Sequence, residues 1–283
     1  MPSSVVVVTD STAYLPQEEA SRLGIVVVPL QVIVGGKPFD DVVQIGASEM
    51  TGALEKWSPV TTSRPAPRRF TEAYDAAAAE GATGVVSIHL SGEMSGTVEA
   101  ARSGAREASI PVEVIDSRSI AMGLGFPVLA AAEAAAGGAS LAEAAAAARR
   151  RMAGTRSFFY VATLEYLRRG GRIGAAASLV GSALMIKPLL HITEGTISPL
   201  EKVRTATRAI ARLEELAVQA AGSGPAAVAV QHIAARSRAE TLAERLAQRV
   251  PALTGITVVE VGAVIGAHVG PGMLGVTVSP AAP

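Results

Sequence analysis

Short apolar runs alternate with helix-length segments along the first half of the chain, and nearly every run ends in hydroxyl side chains. Val5 to Val8 leads into Thr9-Asp10-Ser11-Thr12, and Val60 into Thr61-Thr62-Ser63. Val85 to Leu90 leads to Ser91 and then to Ser95-Gly96-Thr97, and Val112 to Ile115 leads to Asp116-Ser117. Unbroken apolar runs, as opposed to alternating ones, mark strands buried on both faces. Between them, Pro16 opens a helix with Glu18 and Glu19 in its first turn. Ile25 to Val34 reads as a strand broken by Pro29 and ended by Gly35-Gly36. Pro65 and Pro67 open a helix reaching about Glu80, another starts near Ser95, and two Ala-rich helices flank Gly137-Gly138. This rhythm predicts a mainly parallel sheet with helices on both faces. Ligands bind such sheets outside the carboxyl ends of the strands, so the hydroxyl-bearing loops are expected to face one crevice.

The pattern changes near Ala153-Gly154-Thr155, which predicts two domains, 1–153 and 154–283. After it come a strand at 157–162, a short helix into Arg168-Arg169-Gly170-Gly171-Arg172, and a helix from about Gly174. A strand at 186–192 turns back at Glu194-Gly195 as a hairpin to Lys202. Helix 205–221, strand 226–232, helix 237–249 and strand 256–261 follow, then a Gly-rich stretch from 262 to 275 and a last strand. The second domain is therefore expected to be a smaller α/β unit with a mixed sheet.

Composition narrows the function. Only 4% of residues are aromatic against 49% hydrophobic, a poor match to nucleic-acid surfaces, which interleave aromatics with basic groups. Cysteine is absent, which removes disulfides, thiolate zinc sites and a Cys nucleophile. No run of 18 or more apolar residues predicts a transmembrane span, and Met1-Pro2-Ser3-Ser4 lacks the basic segment of a secretory signal. A cytoplasmic protein is the expectation. The net charge of zero hides an asymmetry: 11 basic and 17 acidic residues lie in 1–150, and 14 and 8 in the remainder. Such a split suits two domains or a docking surface.

Little in the chain resembles catalytic machinery. Gly270-Pro271-Gly272-Met273-Leu274-Gly275 spells GxGxxG, but a dinucleotide fingerprint must open a helix and be followed by an acidic residue about 20 positions on. Only eight residues remain after Gly275. The four histidines, His89, His191, His232 and His268, are too scattered for a local metal motif. A serine hydrolase built on Ser95 and His268, with Asp10 as a third member, is an alternative to a binding protein. An interaction module that docks through the Arg-rich second domain is another. Against these, Thr62-Ser63 before one proline-opened helix and Ser95-Gly96-Thr97 at the start of another suit an anion grip. Asp10 and Asp116, each beside a serine, read as acceptors that order their loops. Arg168, Arg169 and Arg172 bracket a Gly-Gly break and suit recognition of carboxylate or phosphate. His268, held among glycines, reads as a polar site residue.

In this order, these segments resemble the DegV family of bacterial lipid-binding proteins, which includes the fatty-acid-binding subunit of fatty acid kinase. The matching segments are Thr9-Asp10-Ser11, Thr62-Ser63-Arg64-Pro65, Ser95-Gly96-Thr97, Asp116-Ser117, Leu164 to Ile173, Lys187-Pro188 and Gly266 to Gly272. They span nearly the whole chain, from about 5 to 278. The resemblance implies a two-domain α/β protein with a lipid tunnel between the domains and no cofactor. The tunnel would hold one long-chain fatty acid such as hexadecanoate. Thr62, Ser95 and His268 would meet its carboxylate, supported by Ser63, Gly96 and Thr97. Arg172 would serve the reaction of a partner, the ATP-dependent catalytic subunit of fatty acid kinase. That subunit would make an acyl-phosphate for phospholipid synthesis, so this chain would present substrate without being an enzyme. No nucleic acid is implied, and transient membrane contact is compatible with the role. Leu124, Phe126, Leu129, Leu164, Leu167, Leu179, Leu184, Met185, Ile186, Leu189 and Leu190 supply apolar material for a tunnel. The chain departs from the family pattern at Arg64, where a neutral Gln is common, and at Gly92 and Val98, where a serine and a tyrosine are frequent.

Overall fold

A computed structural model describes residues 4–55, 60–182 and 187–281. In chain order the elements begin with β1 (Val5–Asp10), α1 (Gln17–Arg22), β2 (Val26–Val28), β3 (Gln31–Val34), β4 (Lys37–Asp40) and α2 (Ala47–Glu55). Then come β5 (Val60–Ser63), α3 (Pro67–Ala79), β6 (Gly84–His89), α4 (Thr97–Ala105), β7 (Val112–Asp116), α5 (Met122–Ala136) and α6 (Leu141–Gly154). The remainder is β8 (Arg156–Tyr160), α7 (Glu165–Arg169), β9 (Lys187–Thr193), β10 (Thr196–Val203), α8 (Ala206–Ala221), β11 (Ala226–His232), α9 (Arg236–Arg249), β12 (Leu253–Glu260), α10 (Ala263–Val269) and β13 (Leu274–Pro280). The chain forms two compact units, Met1–Gln31 with Ser63–Ala153, and Val32–Thr62 with Gly154–Pro283. The second unit, which takes in a segment of the first half, is the larger.

In the first unit four parallel strands lie in the order β2-β1-β6-β7. The Val-rich runs are buried because helices cover both faces. On one side Val8, Val28 and Val85 pack with Phe70 and Tyr74 of α3 and Ala100 and Ala101 of α4. On the other lies α5, whose residues Met122 to Val128 are all buried. A helix apolar around its whole circumference has no solvent face to present. The chain leaves β1 toward β2 and leaves β6 toward β7, on opposite sides, so the topological switch falls between β1 and β6. Asp10 and His89 end those two strands.

The second unit is built on a six-stranded mixed sheet, β10-β9-β8-β13-β11-β12, antiparallel except for β11 with β12. One face carries α8 and α9, whose Leu213, Leu242 and Leu246 bury against Val228, Val230, Val276 and Val278. Full burial of each such leucine contributes roughly 1.5–3 kcal/mol. Glu194 (φ 50°) and Gly195 (φ 79°) make the tight turn between β9 and β10, the hairpin expected at Glu194-Gly195. A small sheet, β4-β3-β5, comes mainly from residues 32–62, with Gly35 (φ 57°) and Gly36 (φ 83°) turning β3 into β4.

Three local features differ from expectation. Residues 37–40 and 47–55 form β4 and α2, where no element was expected. Thr62 and Ser63 lie on β5 and cap no helix: α3 starts at Pro67 behind Ala66, with no side-chain cap. The Gly-rich stretch contains α10, and the segment from Gly174 is a 3-10 helix. Of the tunnel candidates, Leu189 packs in the α8–α9 core, whereas Leu184, Met185 and Ile186 lie outside the described residues. Among the described residues no helix is long and apolar enough to cross a membrane.

Candidate functional site

At the switch point of the parallel sheet, Asp10 organises a buried polar chain. Its Oδ1 accepts from the Thr12 amide (3.1 Å) and hydroxyl, and its Oδ2 from the Leu90 amide (3.0 Å) and His89 Nδ1 (3.0 Å). The other ring nitrogen of His89 bonds Ser87 Oγ (2.7 Å), which bonds Tyr74 Oη (2.8 Å). Both Asp10 and His89 are fully buried. Burial pushes the Tyr74 phenol up to about 12. Asp–His–Ser connectivity invites a triad reading, but Ser87 is sealed in the core and already bonded to Tyr74. The chain's evident work is to tie the loop after β1 to the loop after β6.

That second loop carries the hydroxyl set. Ser91 accepts at its backbone oxygen from the Met94 (3.0 Å) and Ser95 (3.1 Å) amides, and its hydroxyl accepts from the Glu93 amide (3.2 Å). Asp116 holds the loop from β7 by accepting from the Gly92 (3.2 Å) and Arg118 (2.8 Å) amides, the loop-ordering role expected of it. Ser95 Oγ and Thr97 Oγ1 lie 2.9 Å apart, so one hydroxyl proton is spent between them and the other is free to donate outward. Gly96 is the N-cap of α4 and brings no side chain to it.

The second unit places His268 on α10. Asp41, itself fully buried, accepts from the amides of Ala263 (2.9 Å) and Val264 (3.2 Å) and so satisfies the helix's first turn. Gly266 allows close packing: a Cβ there would overlap Met50 and Ile233. Two glycine–ring contacts then lock α10 to α7. A Cβ on Gly170 would overlap the His268 imidazole, and one on Gly270 (φ 73°) would overlap the Tyr166 ring.

His268 Nε2 lies 2.8 Å from Thr62 Oγ1, across 206 residues of sequence. Its Nδ1 is buried against Gly170 without a hydrogen-bond partner among the described residues. Burial, and then the positive charge of Arg172, depress its pKa to about 4, so the ring is neutral near pH 7. We assign the Nε2–H tautomer. An orphaned acceptor lone pair costs less than an orphaned buried N–H donor, which the other tautomer would leave at Nδ1. His268 therefore donates to Thr62, and the Thr62 hydroxyl proton stays available to an external acceptor. This pair can present a polarised hydroxyl to an anion without carrying charge itself.

The arginines separate into two kinds. Arg168 and Arg169 both bond Glu165 (2.7 and 2.6 Å), which holds that carboxyl down at about 2. Arg172 instead donates to the Gly170 carbonyl (2.7 Å), the residue that backs His268. A hydrolase built on Ser95, His268 and Asp10 lacks its orienting bond: Asp10 is committed to His89 and the two loops, and among the described residues no carboxylate bonds His268 Nδ1. The GxGxxG segment lies in the turn from α10 into β13, so it opens no helix. Ser63 turns its hydroxyl to the Arg64 carbonyl (3.2 Å). Sequence reasoning had missed Asp41, whose capping of α10 links segments 222 residues apart, and Gly170.

Comparison with known proteins gives the family of the chain. The family model described as "Uncharacterised protein, DegV family" matches residues 4–281. A DegV domain-containing protein of Streptomyces coelicolor is 56% identical over 279 residues, covering 99% of each chain. One from Mycobacterium tuberculosis is 40% identical over 276 residues, covering 97% of each. Among solved structures, a fatty-acid-binding DegV family protein from Thermus thermophilus superposes with a TM-score of 0.93 at 33% identity, covering 98% of this chain and 99% of that one. DegV from Bacillus subtilis, a fatty acid binding protein, gives 0.90 at 32% identity with the same coverage. The chain belongs to the DegV family.

Proposed function

We propose that this protein binds one long-chain fatty acid and presents its carboxylate to a separate ATP-dependent kinase. The observation that carries the reading is the neutral His268–Thr62 pair, which leaves a hydroxyl proton free for an anion. Relatives of about one-third identity that bind fatty acids supply the ligand class. Thr62, with His268 behind it, meets the carboxylate; Ser95, supported by Thr97 and Gly96, is a second hydroxyl donor to it. Ser63, whose hydroxyl bonds the Arg64 carbonyl, is read as a supporting residue beside Thr62.

The energetics are consistent. Burying a tail of about 16 carbons at about 0.8 kcal/mol per methylene offers roughly 10 kcal/mol gross. Removing the carboxylate from water costs several kcal/mol. Hydrogen bonds to a charged group return about 1.5–3 kcal/mol each, so two hydroxyls offset much of that cost. The tail then gives affinity and the head gives orientation. Phosphoryl transfer needs the head group reachable by a second protein, and that step is given to Arg172, which bonds the Gly170 carbonyl beside His268.

Titration with hexadecanoate tests the reading. Tight one-to-one binding is expected, weakened in Thr62→Ala and in Ser95→Ala with the fold intact. Arg172→Ala is expected to bind lipid normally and to impair acyl-phosphate formation when the kinase and ATP are added. No uptake by the wild-type protein would remove the proposal. Normal turnover by Arg172→Ala would remove the partner role of that residue.

A further inference from the structure

Arg64 and Gly96 stand 32 residues apart in the first unit and are fitted to each other. The exposed Arg64 side chain lies along Gly96, and its Nη1 donates to the Gly96 carbonyl at 3.4 Å. A Cβ at position 96 would overlap the guanidinium at Nη1, press its Cζ (3.3 Å) and press the stem at Cδ (3.1 Å). The missing side chain is what lets the cation lie there. Gly96 is also the N-cap of α4, a helix of nine residues whose entry no side chain caps.

The electrostatics of this arrangement are one-sided. A helix N-terminus carries about half a positive charge and favours anions. Here a full cation is laid on it, and among the described residues Arg64 has no carboxylate partner. The only acid in the first turn, Glu99, reaches toward Arg102 (3.8 Å) instead. The Ser95–Thr97 pair, on either side of Gly96, adds one outward hydroxyl proton, the other being shared between the two. The guanidinium and the helix N-terminus repel each other until an anion joins them, and the outward hydroxyl proton is a further donor to it.

We propose that Arg64 is a specificity-determining residue that selects an ionised acyl head group over a neutral one. The inference rests on the fatty-acid reading above and goes beyond it, because hydroxyls hydrogen-bond a carboxylate and an alcohol both, with only the difference between a charge-assisted and a neutral bond to tell them apart. Arg64 adds a charge that only the carboxylate answers. As an exposed group it is screened by salt, so its contribution is modest and depends on ionic strength.

The test compares binding of hexadecanoate and hexadecan-1-ol to the full chain at low and at physiological salt. Arg64→Gln is expected to weaken hexadecanoate binding by about fivefold at low salt, the upper range for an exposed ion pair. It should leave the alcohol unchanged and flatten the salt dependence. Arg64→Lys, which keeps the charge, is expected to retain most of the preference for the acid. An unchanged acid-to-alcohol ratio in Arg64→Gln would overturn the proposal, as would an equal loss for both ligands or a loss in Arg64→Lys as large as in Arg64→Gln. Failure of the wild-type protein to bind either ligand would instead bring down the fatty-acid reading on which the proposal stands.

Discussion

His268 donates to Thr62 across a 2.8 Å hydrogen bond that joins the last helix of the chain to a strand near residue 60. Removing the acceptor leaves a buried N–H without a partner, while the Thr62 proton offered to a ligand is lost as well. Thr62→Ala is therefore expected to destabilise the protein by about 1–3 kcal/mol and to lower fatty-acid affinity about tenfold or more. Thr62→Ser keeps the hydroxyl and should stay close to wild type in both. Urea unfolding and calorimetric titration of the two variants separate these outcomes.

The depressed pKa of His268 gives a signed pH dependence. Its value near 4 lies below the ordinary 6.5, so between those values the unfolded chain binds the proton and the folded chain does not. The contribution of this group is complete above about pH 6.5 and is lost as the pH falls toward 4. The maximum effect is about 3 kcal/mol, less where solvent reaches the ring. The slope of stability against pH in this window should be shallower in His268→Gln than in wild type. Identical slopes would mean that the ring titrates normally.

Gly170→Ala puts a methyl into the His268 ring, which cannot retreat because its far nitrogen is tied to Thr62. Overpacking of this kind costs about 1–3 kcal/mol. The variant is expected to unfold at lower urea concentration and to bind fatty acid more weakly. Gly52→Ala, in α2 with open space around it, serves as the control and should be neutral or slightly stabilising.

Asp10 accepts four hydrogen bonds inside the first unit. Asp10→Ala orphans His89 Nδ1 and the Leu90 amide together, in a place water does not reach. A loss of more than about 3 kcal/mol is expected from breaking such a network. Because Ser87 is sealed, purified wild-type protein should show no esterase activity above background that Ser87→Ala removes. Thermal unfolding and a nitrophenyl ester assay check the two halves of this statement.

How much was legible depended on where each element draws its stability. The parallel strands of the first unit were readable because burial on both faces requires an unbroken apolar run such as Val5 to Val8. The break at Pro29 and the Glu194-Gly195 turn were readable because local backbone chemistry dictates them. By contrast, α10 is rich in small residues and carries Gly266 in its interior, so its local preference is weak. Its entry is capped by Asp41 and its face packs on Met50 and Ile233, partners that sequence spacing does not reveal. The same tertiary contacts draw residues 32–62 into the second unit. His268 stood out through its glycine neighbours, whereas the resemblance implied only that it lies near Thr62 at a carboxylate, and the direct bond between them was not foreseen. Thr62 as a strand residue was missed because Thr-Ser ahead of two prolines imitates a helix entry.

The most direct test of the whole account is native mass spectrometry of the freshly purified recombinant protein. The expected spectrum shows the chain carrying one fatty acid of about 14 to 18 carbons, lost on denaturation and regained from a fatty-acid mixture, the range that matches roughly 10 kcal/mol of buried tail. A spectrum of bare protein that takes up no fatty acid from the mixture would contradict the account.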